Sequence, residues 1–416
     1  MKFKAGILPF VIAISMIVAL ICSAFFLVVY YSNIRTVQYK RDLNVINNLN
    51  SLENLVLSEG GLYSYDITSN FDLWGRGSDS VSVLRERWGG FELFKLCAYT
   101  NSSITRSSLL VANKTTVYNG KALFVSNRSG QSLSLVGNTE VIGDVLIPRQ
   151  GLVSGFINGR SFIGNTFVKG NIDYSNGTIP TVSQEVVDYF KRLRLISTDV
   201  EIINYNQINT RSISNPFIGK TEYYYSMDPI VIDKKIMGNI IIISDSEIIL
   251  TSYANTDNVI FVAPQIRVKS NFRGNFQAFS THQIIIENDV ILDYPTLLFC
   301  NAIEGSQVRI GYNTVLKGGI YQQDFMGEQN DVSASIIIDQ ATIMGQVLTS
   351  GSAEVYGNIY GQLICEKVVY KDSNEKFYEN YLVDCEINRT LLSDDFLFPI
   401  VLMDQSKDTQ LLRRVF

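Results

Sequence analysis

The chain opens on an uninterrupted apolar run, and its pattern of apolar positions changes twice further on. Residues 7–31, ILPFVIAISMIVALICSAFFLVVYY, carry no charge. They are long enough to cross a ~30 Å hydrocarbon layer as a helix, with Tyr30 and Tyr31 where an interfacial aromatic belt belongs. A secretory signal peptide has a shorter apolar core of ~7–15 residues and a small-residue cleavage site, which this run lacks. An uncleaved transmembrane anchor is therefore expected. Lys2 and Lys4 on one side face Arg35, Lys40 and Arg41 on the other, so charge alone orients it weakly. The short N-terminal tail favours residues 1–6 in the cytoplasm, which places the rest of the chain beyond the inner membrane, in the periplasm or outside the cell. Past the run, Val45, Leu49, Leu52 and Val56 recur at helical spacing and define one face of a stalk over residues 32–60. Ser58-Glu59-Gly60-Gly61 supplies its stop.

After Gly61 the period falls to two, and short β-branched or aromatic runs alternate with Gly, Asn, Asp and Ser. Residues 61–130 read as a small β-rich unit with strands at Val81-x-Val83 and Phe91-x-Leu93. Trp74 and Trp88 are expected in its core. Beyond it an eight-residue frame recurs: NTEVIGDV at 138–145, NTFVKGNI at 165–172 and NTVLKGGI at 313–320. Weaker copies are DKKIMGNI at 233–240, KSNFRGNF at 269–276, QATIMGQV at 340–347 and SAEVYGNI at 352–359. In the pleat of a strand, the two aliphatics and the glycine between them face one side, and a glycine there suits a close approach of stacked backbones. The 33 asparagines suit a protein of many corners, because Asn tolerates the left-handed turn conformation. The predicted fold is mainly β: a transmembrane helix and helical stalk, then an elongated β-helix or β-solenoid-like body with one inserted helix. Solenoid blocks are expected over residues 131–180 and 231–390, and the competing architecture is a β-sandwich whose strands carry glycine. Between the blocks, residues 181–230 are expected as an insertion. It holds an amphipathic helix, with Ser183 as cap and Val186, Val187, Phe190 and Leu193 on one face, that covers an open solenoid edge or separates two β modules. A long loop from Asn204 to Pro229 follows. Residues 391–416 are expected to close the array as a C-terminal cap or tail.

Apolar residues make up 46% of the chain and charged ones 18%, which excludes a disordered polymer. The net charge of −5 becomes −7 once Lys2 and Lys4 are set aside, leaving 33 basic against 40 acidic residues. Such a body has no electrostatic reason to bind nucleic acid. Chemistry is sparse. His282 is the single histidine, no P-loop, G-x-S-x-G or H-E-x-x-H occurs, and the Gly frames lie between strands without the following helix that a nucleotide loop needs. Asp245, Glu247, Asp289, Asp293 and Asp339 stand at strand-like positions as an exposed acidic face. No catalytic residue, metal site or cofactor is assigned. Cys22 lies in the apolar run, and Cys97, Cys300, Cys365 and Cys385 permit three pairings. If the body is extracytoplasmic, a Cys365–Cys385 bridge is expected first.

Two resemblances bear on function. Lys4-Ala5-Gly6 followed at once by an apolar helix that turns amphipathic resembles the N-termini of type IV pilins and of type II secretion pseudopilins. The resemblance implies cleavage after Gly6, with Ile7 as the mature first residue. Val11 stands where most pilins carry Glu, a departure shared with large tip-type minor pseudopilins. The V-x-G-x-V style of the frames resembles bactofilin-like, polymer-forming β-solenoids and more loosely adhesin and pectin-lyase-type helices. The expected function is a membrane-anchored, non-enzymatic structural or assembly protein of the bacterial cell envelope, held in the bilayer through residues 7–31 and working by self-assembly or with protein partners. The alternative is an extracytoplasmic carbohydrate-binding or carbohydrate-active β-helix protein.

Overall fold

A computed structural model describes residues 7–75, 77, 79–100, 103–126, 128, 130–195, 202–207, 210–302, 305–324, 335–403 and 408–415. The chain forms two compact units, one of Met1–Tyr63, Ile67–Leu84 and Leu96–Ser107, the other of Ser64–Asp66, Arg85–Lys95 and Ser108–Phe416.

In the first unit one uninterrupted helix, α1 (Ile7–Glu59), joins the apolar run to the stalk. Its 53 residues span about 80 Å at ~1.5 Å per residue. The predicted stop holds, since a 3₁₀ turn, Gly60–Leu62, ends it. The apolar part, long and apolar enough to cross a membrane, is exposed throughout. The helical face of Val45, Leu49, Leu52 and Val56 is buried, as its spacing requires. Around that face, Asn48 donates to Asp79 at 3.4 Å and accepts from Trp74 Nε1 at 2.8 Å, while Ser107 donates to Glu53 at 2.7 Å. Thr68–Phe71 pairs antiparallel with residues 81–84. Trp74 departs from expectation, being 56% exposed, because its indole N–H is satisfied at the helix surface rather than in a core.

The second unit is a β-solenoid of parallel ladders. One ladder climbs from Ile202–Asn204 through Glu222–Ser226 and residues 240–243, 259–263, 276–280, 297–300, 319–322 and 346–348 to residues 362–365. A second runs from Ile230–Ile232 to Lys367–Lys371, and a third from Ser212–Asn215 to Glu386–Asn388 and Glu140–Ile142. Coil length varies, since facing side chains are separated by 16 residues at Gln346–Gln362 and 27 at Gln322–Thr349. The sequence repeat is irregular for this reason.

The two predicted blocks are one solenoid. Residues 363–365, in the last coil of the long block, pair in parallel with residues 123–125, which pair with Asp144–Ile147, which in turn pair with Ile172–Tyr174. The N-terminal block thus stacks after the C-terminal one and covers an edge that would otherwise be open. The long-loop expectation for residues 204–229 is corrected, because Ser212–Asn215 and Glu222–Ser226 are strands of the first coils, paired to Lys235–Ser244. The exposed Ser212 and Ser214 read as loop because the outer face of that strand meets solvent.

The solenoid interior is an apolar column including Ile240, Ile242, Val259, Phe261, Leu298, Ile320 and Val347. The first ladder is apolar on its outer face too: Ile241, Ile243, Ile260, Val262, Phe279, Phe299 and Tyr321 belong to a second buried cluster. This explains the unbroken Ile240–Ile243 run, which a one-faced strand would not have. Helix α2 (Gln184–Arg194), capped by Ser183 as predicted, lays Val186, Val187, Phe190 and Leu193 on this face. Phe190 stacks on Phe279 at 5.7 Å and meets Phe299 edge-on at 6.0 Å. The helix therefore covers a sheet face, correcting the expectation of an edge cover or module separator. Leu397, Val401 and Leu402 join the same layer, and Thr409–Val415 pairs antiparallel with residues 108–113. The C-terminal segment accordingly lies on the flank of the solenoid instead of capping its last coil.

The frame glycines mark sharp bends. Gly318, Gly345 and Gly361 stack in register with φ of +153°, +144° and +149°. A Cβ on Gly345 would lie 1.8 Å from the carbonyl oxygen of Gly318. The seventh frame is corrected in register: the copy after QATIMGQV is centred on Gly361, four residues beyond the Gly357 of SAEVYGNI. NTFVKGNI is also only half interior, with Ile172 exposed on the last strand of the first ladder. Asn takes its predicted corner role at Asn158, Asn258, Asn271, Asn313 and Asn380, all at positive φ.

Candidate functional site

Of the residues singled out in the sequence, few come together. Gly6 lies outside the described residues, and Ile7 is the first residue of α1. Cys365 and Cys385 are free thiols, both buried, which corrects the expected bridge. The strand Asn358–Cys365 starts opposite Glu386, next to Cys385, then turns at Gly361 onto the ladder that faces residues 123–125. His282 is exposed and its Nδ1 lies 2.9 Å from the Thr281 hydroxyl.

The acidic positions do not form a bare acidic face. Glu247 pairs with Arg267 at 3.0 Å, and Asp293 with Arg273 at 3.2 Å and Lys317 at 3.8 Å. Asp245 accepts from Tyr225 at 2.6 Å and Asp289 from Asn313 at 2.7 Å. Stacking of coils brings together residues some twenty positions apart in sequence. These surface rungs set register and contribute about 0–1 kcal/mol each.

A candidate site is a cleft of about 780 Å³ in the second unit, within the range of small-molecule pockets. Three segments build it. The outward faces of Glu222–Ser226 and Lys235–Ser244 present half-buried Tyr223 and Tyr225 and buried Ile241 and Ile243, which period-two alternation puts on one side. Helix α2 contributes Glu185, Asp188, Tyr189 and Arg192, one to two turns apart along its length. Tyr65, Asp66, Glu86, Arg87 and Trp88 complete the wall.

Arg87 organises this wall. Its guanidinium donates to Tyr65 Oη at 3.1 Å, to Glu185 at 3.1 Å and to the Ile400 carbonyl at 3.3 Å. Behind it, Arg85 and Glu92 form a buried ion pair in which Arg85 Nε donates to Glu92 at 3.1 Å, and Tyr65 donates to Glu92 at 2.6 Å. Arg85 also lies 4.1 Å over the Tyr65 ring, a cation–π contact that fixes the ring. Burial raises the hydroxyl pKa of Tyr65, Tyr189 and Tyr223, and for Tyr223 the nearby Glu86 and Asp66 raise it further. These phenols stay protonated and neutral. The cleft offers hydroxyls, carboxylates and a guanidinium around half-buried tyrosine rings, which suits holding a polar ligand.

In comparisons with known proteins, the chain matches no family model, no curated protein and no solved structure. What the site does must be argued from its own residues. The sequence reading missed this cleft. A signal was present in the i, i+2 pair Tyr223 and Tyr225 beside the Ile240–Ile243 run, but its other walls come from segments far apart in the chain.

Proposed function

We propose that the protein is a membrane-anchored structural or assembly subunit of a bacterial cell envelope, pilin-like in its N-terminal helix, with the β-solenoid body on the extracytoplasmic side. The observation that carries this reading is the continuity of α1, exposed and apolar at one end, buried and hydrogen-bonded to its own unit at the other. Leaving Leu8, Phe10, Ile17, Leu20, Phe25 and Phe26 in water forgoes about 1.5–3 kcal/mol of burial each. An apolar surface of that kind needs a bilayer or the same helix of neighbouring subunits. The amphipathic continuation is hydrogen-bonded to residues of its own unit, which joins the anchor to folded structure, as an assembling subunit requires.

The intact mass and N-terminal sequence of protein purified from membranes test the pilin-like form. Ile7 as first residue supports it, and an intact Met1 removes it.

A further inference from the structure

The charges that line the cleft are largely spent on one another. Glu86 is held by Lys95 at 2.9 Å and Glu185 by Arg87 at 3.1 Å. Asp188 accepts from Gln184 at 2.8 Å and lies 3.9 Å from Lys191. A strongly cationic ligand would have to break these pairs, and a strongly anionic one would meet the carboxylates. What stays open to a ligand is of a different kind. Among the described residues, half-buried Tyr223 and Tyr225, partly exposed Ile202 and exposed Arg192 line the space. Tyr189 adds an aromatic ring to that lining.

We propose that this cleft binds a neutral oligosaccharide. A sugar ring has an apolar C–H face and a rim of hydroxyls that both donate and accept. The tyrosine rings and Ile202 suit the face. The rim is served by Arg192 as donor, by the carboxylate oxygens left over from their ion pairs as acceptors, and by phenols that can do both. The cleft's volume of about 780 Å³ accommodates a short chain of such rings. The Arg87 network holds the wall in place before any ligand arrives, so little ordering cost falls on binding. This inference does not rest on the assembly reading and survives its failure.

The test is calorimetric titration of the full-length, detergent-solubilised protein with cellohexaose, chitohexaose, maltohexaose and xylohexaose, alongside hexalysine and an oligogalacturonate. At least one neutral sugar is expected to bind with a Kd of about 1 mM or tighter. Tyr223→Ala and Arg192→Ala should each weaken it about tenfold or more, while Tyr370→Ala, in the aromatic row with Tyr356 and Tyr378, leaves it unchanged. Arg192 is exposed, so its removal tests the site without threatening the fold. Absence of binding by all four neutral sugars would overturn the proposal. So would tighter binding of either charged oligomer, or sugar binding indifferent to both cleft substitutions.

Discussion

Replacing Gly345 by alanine probes the stacking that lets this chain coil. Gly345 sits between Gly318 and Gly361 in register, at φ +144°. Side-chain-bearing residues hardly enter that conformation, at a cost of about 1–3 kcal/mol. The new Cβ would also lie 1.8 Å from the Gly318 carbonyl oxygen. That contact must open by more than an ångström, and the ladder hydrogen bonds on either side resist the shift. Overpacking of this kind adds about 1–3 kcal/mol. A loss of about 3 kcal/mol or more is expected. With a urea dependence of about 3 kcal/mol/M, the midpoint followed by Trp88 emission should fall by about 1 M. Gly151→Ala is the control: its φ is +80°, but its Cβ would meet open space, so only the conformational cost of about 1–2 kcal/mol applies. If the two variants unfold at the same urea concentration, the close stacking of coils is not what requires the glycine, and the reasoning fails.

The three buried thiols give a second test. Burial pushes Cys300 and Cys385 up to about 12 and raises Cys365 as well, so none is a nucleophile at pH 8. Iodoacetamide should leave all three unlabelled in the native protein and label all three in urea without reductant; a Cys365–Cys385 bridge would instead withhold two until reduction. Because the folded state keeps these thiols protonated while the unfolded chain ionises near 9, their contribution to stability is complete below pH 9 and is lost as pH rises from 9 toward 12. The thermal midpoint should decline over that range, and a flat profile would contradict the burial argument. Phe190→Ala removes the ring packed on Phe279 and Phe299 at a cost of about 3–5 kcal/mol. Amide exchange over Gln184–Arg194 should speed up by about a hundredfold or more, while Lys191→Ala leaves it unchanged.

What could be read from sequence followed the range of the interaction. The stalk face of Val45, Leu49, Leu52 and Val56 and the helix of Val186, Val187, Phe190 and Leu193 were legible because helical period is local. The glycine frames were legible as a motif but not in register, because Gly357 and Gly361, four residues apart, both fit the pattern and only the cross-coil partner Gly345 distinguishes them. The union of the two solenoid blocks was invisible because Cys365 meets Phe124 across 241 residues of chain. Nothing in either segment names the other. The strand at 212–215 was hidden by Ser212 and Ser214 at its outward positions. The cleft was hidden for a related reason: Tyr223 and Tyr225 are two residues apart in sequence, but Arg87 and Arg192 reach them only through the packing of α2 and the preceding strands on the outer sheet face.

The side of the membrane on which the body stands decides the central claim. Protease should be added to intact cells, to cells osmotically opened at the outer envelope, and to cells whose inner membrane has also been lysed, with the body followed by an antibody against the solenoid. The account predicts digestion as soon as the outer envelope is opened, or already in intact cells, leaving a membrane-held fragment that contains residues 7–31. Protection until the inner membrane is lysed would put the body in the cytoplasm and contradict it.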